Sequence, residues 1–476
     1  MDERYIAAVD LGSFKIALAV AKVEGEDVEI IYYDEVPSEG VRYSCVFNPQ
    51  KVSEPLRNLI RKAEKDLGID ILQVVVGLPR YAVKQQVATG EIPRSDASSC
   101  ISAEEVYDLK NMALDSYPLD DAEKEIIYGA VAQSFTTDDY HQATESDVIG
   151  MISDRLEGNF KVFIGNRKNV SNLDKVFNDI NVAIANKYFV PEVMSKVILT
   201  HEEMENGVAL IDFGAGVTSV SIYQNGIMRH YSSIPFGGST VTNDIKLEGG
   251  FSTSLAENIK LAYGACMPDK LASMSEKIIK VCYKDSGREK DLRVRYLSEI
   301  ITSREKEIID AILYEIQKSG FADYLRSGLV ITGGGAEMVN LGNFISDLSG
   351  YNVRIGYPGK MFSTTGCQKA TETSAASCLS MILAAKYETF NCVTRLEQED
   401  EEQEEDEEVL ELTSPVFSKK DKPEKREKKK KESKKVWKTG IWTKTADLFN
   451  GLFDATTGAG VESDVENNEN NVGNEQ

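Results

Sequence analysis

The sequence predicts an α/β protein of two or more domains over residues 1 to about 390, followed by a charged tail with no core of its own. Three observations predict this. Apolar strands such as Gln73-Val74-Val75-Val76-Gly77 alternate with helical stretches such as Ser53–Leu67. One strand–turn–strand pattern occurs twice, as Val9-Asp10-Leu11-Gly12-Ser13 and, about 200 residues later, as Ile211-Asp212-Phe213-Gly214-Ala215-Gly216. The composition then changes abruptly: Glu397–Glu411 is almost continuously acidic and Lys419–Lys435 is dominated by lysine.

Each copy of the repeated pattern starts as an apolar strand, ends on an Asp, turns on glycine and continues as a second strand. Ile16-Ala17-Leu18-Ala19-Val20 follows the first turn, and Thr218-Ser219-Val220-Ser221-Ile222 follows the second. A glycine turn can aim backbone N–H groups at a phosphate, because glycine tolerates φ > 0 and lets an anion approach. A carboxylate beside phosphates repels them unless a hydrated Mg²⁺ stands between, so Asp10 and Asp212 are read as metal anchors acting through water. One such turn is commonplace. Two facing each other would clamp a nucleotide.

Two further elements fit that reading. Ala256-Glu257-Asn258-Ile259-Lys260 has helical character, and Glu257 and Lys260, three apart, share a face. On an open surface they would be a solvated ion pair; in a cleft they would meet a ribose and a purine. Gly328-Leu329-Val330-Ile331-Thr332 is a strand, and Gly333-Gly334-Gly335-Ala336 follows it. Three glycines there allow a flat ring to lie on the backbone, or serve as a tight strand-to-helix turn.

The net charge of -23 argues against nonspecific nucleic-acid binding. No apolar stretch is long enough to span a bilayer, and the first residues lack a basic-then-apolar signal pattern, so a cytoplasmic location is expected. The seven cysteines are scattered and there are three histidines; buried free thiols, rather than a zinc site, are expected. The charged runs, and the Asn/Glu-rich Glu462–Gln476, are expected to be disordered. Between them, Val436–Asp454 reads as an amphipathic helix. Trp437, Ile441, Trp442, Leu448, Phe449, Leu452 and Phe453 share one side, opposite Lys444, Asp447, Asn450 and Asp454. Lys438 lies near the start of the apolar arc, where it can snorkel. Such a helix after a polybasic run suits an anionic membrane surface. Docking on its own globular part, or on a partner, is the other reading.

Together these residues resemble the actin and sugar-kinase superfamily of ATP-binding folds, and within it the FtsA family of bacterial division proteins. The resemblance covers nearly all of residues 5–390. It is carried by Ile234-Pro235-Phe236-Gly237-Gly238-Ser239, Thr242-Asn243-Asp244-Ile245 and Ala256–Gly264. Val148-Ile149-Gly150-Met151 with Arg155-Leu156-Glu157, and Ile101-Ser102-Ala103-Glu104-Glu105-Val106, are similar to signatures of that family's insert. The amphipathic helix after a linker is similar to its membrane anchor.

The resemblance implies a two-lobed, duplicated ribonuclease-H-like fold with ATP and Mg²⁺ between the lobes. Asp10, Gly12 and Ser13 would form the first phosphate loop, with Lys15 in reach of a phosphate; Asp212, Gly214, Gly216 and Thr218 would form the second. Gly333, Gly334, Gly335 and Ala336 would meet the adenosine, beside Glu257 and Lys260. Residues 1–83, 166–204 and 360–390 would form the first lobe, 205–242 and 320–359 the second, and 243–319 its outer subdomain. Residues 84–165 would be the insert, 391–435 the linker, 436–454 the membrane helix and 455–476 an acidic tail. Pro191–Thr200 and Thr371–Lys386 would be the hinge crossings. The implied partners are the FtsZ C-terminal peptide, with Arg293, Arg304 and Glu307 in the matching region, and other copies of the chain in a head-to-tail polymer. Other division proteins would bind through the insert, and the anionic inner leaflet would hold the chain at the cytoplasmic face of the membrane at the division site. Nucleic acid is not among them.

Val217, Asp147 before Val148, Ser377 and the residues after the amphipathic helix depart from the family pattern. For hydrolysis, Ser195 and Glu192, and Asp212 or Asp244 as a kinase-type base, are weak candidates, and none stands out as the group that positions water. The reading is therefore an ATP-dependent assembly protein first and at most a slow ATPase. A sugar or acid kinase and a PilM-like pilus assembly ATPase are the alternatives on the same core.

Overall fold

The computed structural model describes residues 3–94, 98–282, 289–359 and 361–395. The amphipathic helix, the acidic and basic runs and the final segment expected from the sequence lie outside the described residues.

The chain opens with the antiparallel strands β1 (Arg4–Leu11), β2 (Lys15–Glu24) and β3 (Asp27–Pro37). The first two are buried on both faces, which is why their sequences run apolar without alternation. Helix α1 (Pro49–Leu67) starts on Asn48, whose side chain accepts from the Lys51 N–H, and stops at Gly68 in the left-handed region. Val52, Leu56, Leu59, Ile60 and Ala63 form its buried stripe. Strand β4 (Gln73–Gly77) then runs parallel to β1.

An insert leaves the sheet here. Its strands β5 (Lys84–Pro93), β6 (Glu125–Thr136) and β7 (Arg155–Asn166) pair antiparallel in the order β5-β7-β6. Helix α2 (Ala103–Asp115) carries a reciprocal cap between Ser102 and Glu105 and packs on this sheet. Ile101, Leu109, Phe135, Val148 and Phe160 make its separate core. The insert also grips another strand, the one over Ile227–Ile234. Gln85 both accepts from the Tyr231 N–H (2.9 Å) and donates to the Tyr231 carbonyl (2.5 Å), Gln133 donates to the Met228 carbonyl (3.0 Å), and Lys161 donates to the Arg229 carbonyl.

Helix α3 (Arg167–Ile180) returns the chain to β8 (Ala183–Tyr188), parallel to β4. The strand order is thus β8-β4-β1-β2-β3. Helix α4 (Val190–Ile198) leads to a second sheet. Its strands are β9 (Val208–Phe213), β10 (Thr218–Gln224) and β11 (Ile227–Ile234). Helices α5 (Gly238–Gly249), α6 (Thr253–Tyr263) and α7 (Val294–Lys318) follow, then β12 (Leu329–Thr332) and β13 (Val353–Ile355). The order β13-β12-β9-β10-β11 repeats that of the first sheet, with the same alternation of parallel and antiparallel neighbours. The fold is a duplication, as the twin hairpins suggest.

Strand β14 (Ser363–Thr364) adds to the free edge of β3, and helix α8 (Ala376–Ala385) packs against α4, β1 and β4. Asn391–Arg395, grouped with the disordered linker on composition, instead belongs to the folded part: Val393–Arg395 pairs with Ile69–Ile71, and Cys392 and Val393 are buried. The acidic run begins only afterwards, so these residues still carry apolar side chains to bury. The expectation of buried thiols holds for Cys266, Cys378 and Cys392, whereas Cys100 is exposed and Cys45 and Cys367 are half-buried. Cys100 sits in the loop before α2, where no core covers it.

Candidate functional site

The two hairpin turns have one geometry. The Gly12 N–H donates to the Lys15 carbonyl at 3.0 Å, and the Gly214 N–H donates to the Val217 carbonyl at 3.0 Å. A Cβ on Gly12 would lie 2.7 Å from the Lys15 oxygen, and one on Gly214 2.6 Å from the Val217 oxygen, so both turns need glycine. Register makes the same point: Asp10 pairs with Ala17, Asp212 with Ser219. Lys15 and Val217 are therefore equivalent positions of the duplication.

The turns face each other. A Cβ on Gly216 would meet Ser13 Oγ at 2.7 Å and the Tyr43 nitrogen at 3.3 Å. Ser13 Oγ accepts from the Ser44 N–H at 3.2 Å. The second turn is held from behind by the start of α5, where the Gly238 and Ser239 N–H groups donate to the Gly214 and Ala215 carbonyls at 3.1 and 2.8 Å. Gly237 lies so close to Gly214 that a Cβ would stand 2.2 Å from its oxygen. This explains locally why the Ile234–Ser239 segment needs Gly237. Thr218 is fully buried and its hydroxyl donates to the Phe236 carbonyl at 2.9 Å, so it braces the same turn.

Gly333 meets these elements at the end of β12. Its φ is +86°, and a Cβ there would lie 2.3 Å from Asp212 Oδ1. A Cβ on Gly335 would lie 2.9 Å from that of Phe213. Gly334, Gly335 and Ala336 form a short 3₁₀ turn with Glu337. Thr373, just before α8, has its hydroxyl within hydrogen-bond distance of the Gly333 carbonyl (2.9 Å) and of Glu337 (3.0 Å), which share its one proton. The glycine triplet is thus drawn to Asp212 and to the second crossing.

Glu257 and Lys260 do share a face of α6, 2.9 Å apart, but they are not solvated: their side chains are 14% and 10% exposed. Lys260 Nζ also donates to the Gly238 carbonyl (3.0 Å) and Thr242 Oγ1 (2.9 Å), and Thr242 donates to Glu257. The pair ties α6 to the first turn of α5. Close by, Glu305 of α7 is buried, its Oε2 has no partner, and burial pushes its carboxyl up to about 7, against the opposing pull of Lys260. Lys15 is drawn away from the turn, to Glu35 (2.6 Å) and Ser374 Oγ (3.0 Å).

The residue that sequence reasoning missed is Arg80. It follows β4 and lies between the two carboxylates, with Nη1 2.5 Å from Asp212 Oδ2 and Nη2 3.8 Å from Asp10 Oδ1. Burial works against its charge, and Asp212 and Asp10 more than offset this. Asp10 and Asp212 thus converge on one point and accept a cation there. Two carboxylates, with the rest of the shell from phosphates and water, fit the way Mg²⁺ is held with nucleotides. Among the described residues no group of three or more His, Cys, Asp or Glu side chains is placed to hold a metal by itself.

Other candidates are engaged elsewhere. Asp244 is paired with Arg304 at 2.5 Å, and Arg304 also reaches Glu307. Arg293 is exposed at the start of α7. Ser195 donates to the Glu192 carbonyl at 2.8 Å, and burial pushes the Glu192 carboxyl up. No described helix is long and apolar enough to cross a membrane.

The fold resembles that of a solved PilM–PilN type IV pilus biogenesis complex, with a TM-score of 0.56 at 14% identity over 80% of this chain and 98% of that one. At that identity the likeness speaks to fold alone. Two lobes of duplicated topology with facing glycine hairpins define an actin-like ATPase fold. Residues 209–379 match the family model described as cell division protein FtsA. The FtsA of Borreliella burgdorferi is 30% identical over 361 residues, covering 75% of this chain and 86% of that protein. The FtsA of Neisseria meningitidis serogroup B is 28% identical over 370 residues, covering 75% and 85%. The chain belongs to the FtsA family of actin-like cell division proteins.

Proposed function

We propose that this chain binds Mg-ATP between its lobes, polymerises head to tail, and tethers a ring of FtsZ to the cytoplasmic membrane through the Val436–Asp454 helix. One observation carries the reading: the twin turns face each other across the lobes with Asp10 and Asp212 converging on one point. Nucleotide held there bridges both lobes and biases their closure, which is how an actin-like subunit is switched between assembly states. When bound, Mg²⁺ would neutralise phosphate charge; Asp10 and Asp212 would anchor it, and the Gly12 and Gly214 turns would line the phosphates. Gly333–Ala336 would meet the adenosine. Recruitment of other division proteins by the insert, and of the FtsZ peptide near Arg293, Arg304 and Glu307, belongs to the same proposal.

Slow turnover fits better than fast. Ser195 is bonded to the Glu192 carbonyl, burial pushes the Glu192 carboxyl up and Asp244 is paired with Arg304, and among the described residues no side chain stands out as a water-positioning group. Calorimetry with Mg-ATP, followed by co-sedimentation with anionic vesicles, tests the proposal. Saturable nucleotide binding and ATP-promoted pelleting are expected. A sugar or acid that stimulates turnover many-fold would replace the tether with a kinase.

A further inference from the structure

We propose that Arg80 is a resident internal cation that competes with a divalent metal for the Asp10–Asp212 pair, and so keeps metal out until nucleotide brings it. The inference rests on the nucleotide reading above, but its test does not need nucleotide.

Two carboxylates from facing turns repel one another, and withdrawal from water increases the cost. Arg80 offsets this from a nearly buried position, its side chain 13% exposed. Its Nη1 also donates to Ser377 Oγ at 3.0 Å, and its Nε to Ser44 Oγ at 3.4 Å. The guanidinium therefore touches the first lobe, the second lobe and the α8 crossing at once. The backbone beneath it is pinned: the Tyr231 hydroxyl donates to the Arg80 carbonyl at 2.5 Å, and the Leu78 N–H donates to the Tyr188 carbonyl at 2.8 Å. The side chain is a long stem on a fixed base, so it can leave the carboxylates without the loop unfolding.

Charge sets the order of binding. Asp10, Asp212 and Arg80 sum to one net negative charge, too little to favour a bare divalent ion over the guanidinium already hydrogen-bonded there. A metal arriving with a polyphosphate is different, because the phosphates supply most of its ligands and offer the displaced guanidinium a new anionic partner. The device makes metal binding conditional on nucleotide and loosens a contact between lobes when the metal enters.

The test is Mn²⁺ titration of full-length protein without nucleotide, read by electron paramagnetic resonance, for wild type and Arg80→Met. The variant is expected to bind Mn²⁺ at least tenfold more tightly, and Asp212→Asn in that background to abolish the gain. Equal Mn²⁺ affinity in wild type and variant, or weaker binding by the variant, would overturn the proposal. Arg80→Gln, which keeps a polar side chain, supplies the same comparison if Arg80→Met does not fold. A wild type that ignores Mg-ATP in calorimetry would refute the nucleotide reading instead, leaving the Mn²⁺ comparison to decide on Arg80.

Discussion

At the residue scale, the site is a set of close approaches that tolerate little change. Asp212→Asn removes one of two anchors and is expected to weaken Mg-ATP binding by about tenfold or more, measured by calorimetry. Unchanged affinity would mean that the second turn does not hold the metal. Glu305 gives a pH prediction. Burial holds its carboxyl up to about 7, against an ordinary 4.5, so the native state keeps a proton that the unfolded chain has lost in that interval. The native state must therefore lose stability as pH rises from about 4.5 through about 7. Glu305→Gln is expected to stabilise the protein by about 1–3 kcal/mol at pH 8 and to change little at pH 4.5, read by thermal unfolding. Arg80 shows the limit of sequence reading at this scale. A lone arginine after a strand has no periodic signature, and its partners lie 70 residues before it and 132 after it. The one available signal was chemical: two carboxylates brought together require a cation.

At the scale of elements, most of the architecture was legible. Apolar runs located the sheet strands, and the doubled Asp-x-Gly turns foretold a doubled sheet. The Ser102–Glu105 cap that starts α2 falls within the Ile101–Val106 segment that resembles the family's insert. What sequence could not show was how elements are fastened to one another. In the sequence Lys260 is open to two readings, half of a solvated ion pair or a nucleotide contact in a cleft; the structure shows its charge buried against the start of α5. The turn after β12 is constrained both in conformation and in space. Gly333→Ala forces a side chain into the left-handed region and against Asp212, and is expected to cost about 2–4 kcal/mol in urea unfolding. A variant of wild-type stability would show that the turn can shift.

At the scale of the whole molecule, the proposed function depends on joining the folded part to a membrane surface. In the amphipathic helix that the sequence predicts over Val436–Asp454 the apolar face would be small, so one copy would bind a bilayer weakly and many copies on the proposed polymer would bind firmly. Trp442→Glu with Phe449→Glu is expected to abolish co-sedimentation with anionic vesicles while leaving Mg-ATP affinity intact. Equal pelleting of variant and wild type would remove the tether from the proposal.

The grip of the insert on β11 has a consequence for assembly. An open sheet edge invites another chain to continue the sheet. On β11 the Tyr231 N–H and carbonyl, and the carbonyls of Met228 and Arg229, already belong to Gln85, Gln133 and Lys161. Gln85 stands in for the missing neighbouring strand, so the stretch from Met228 to Tyr231 is capped from within the molecule. In the proposed assembly, a copy adding a strand along this stretch would first have to displace Gln85, Gln133 and Lys161, whereas side-chain surfaces can meet and part without that cost.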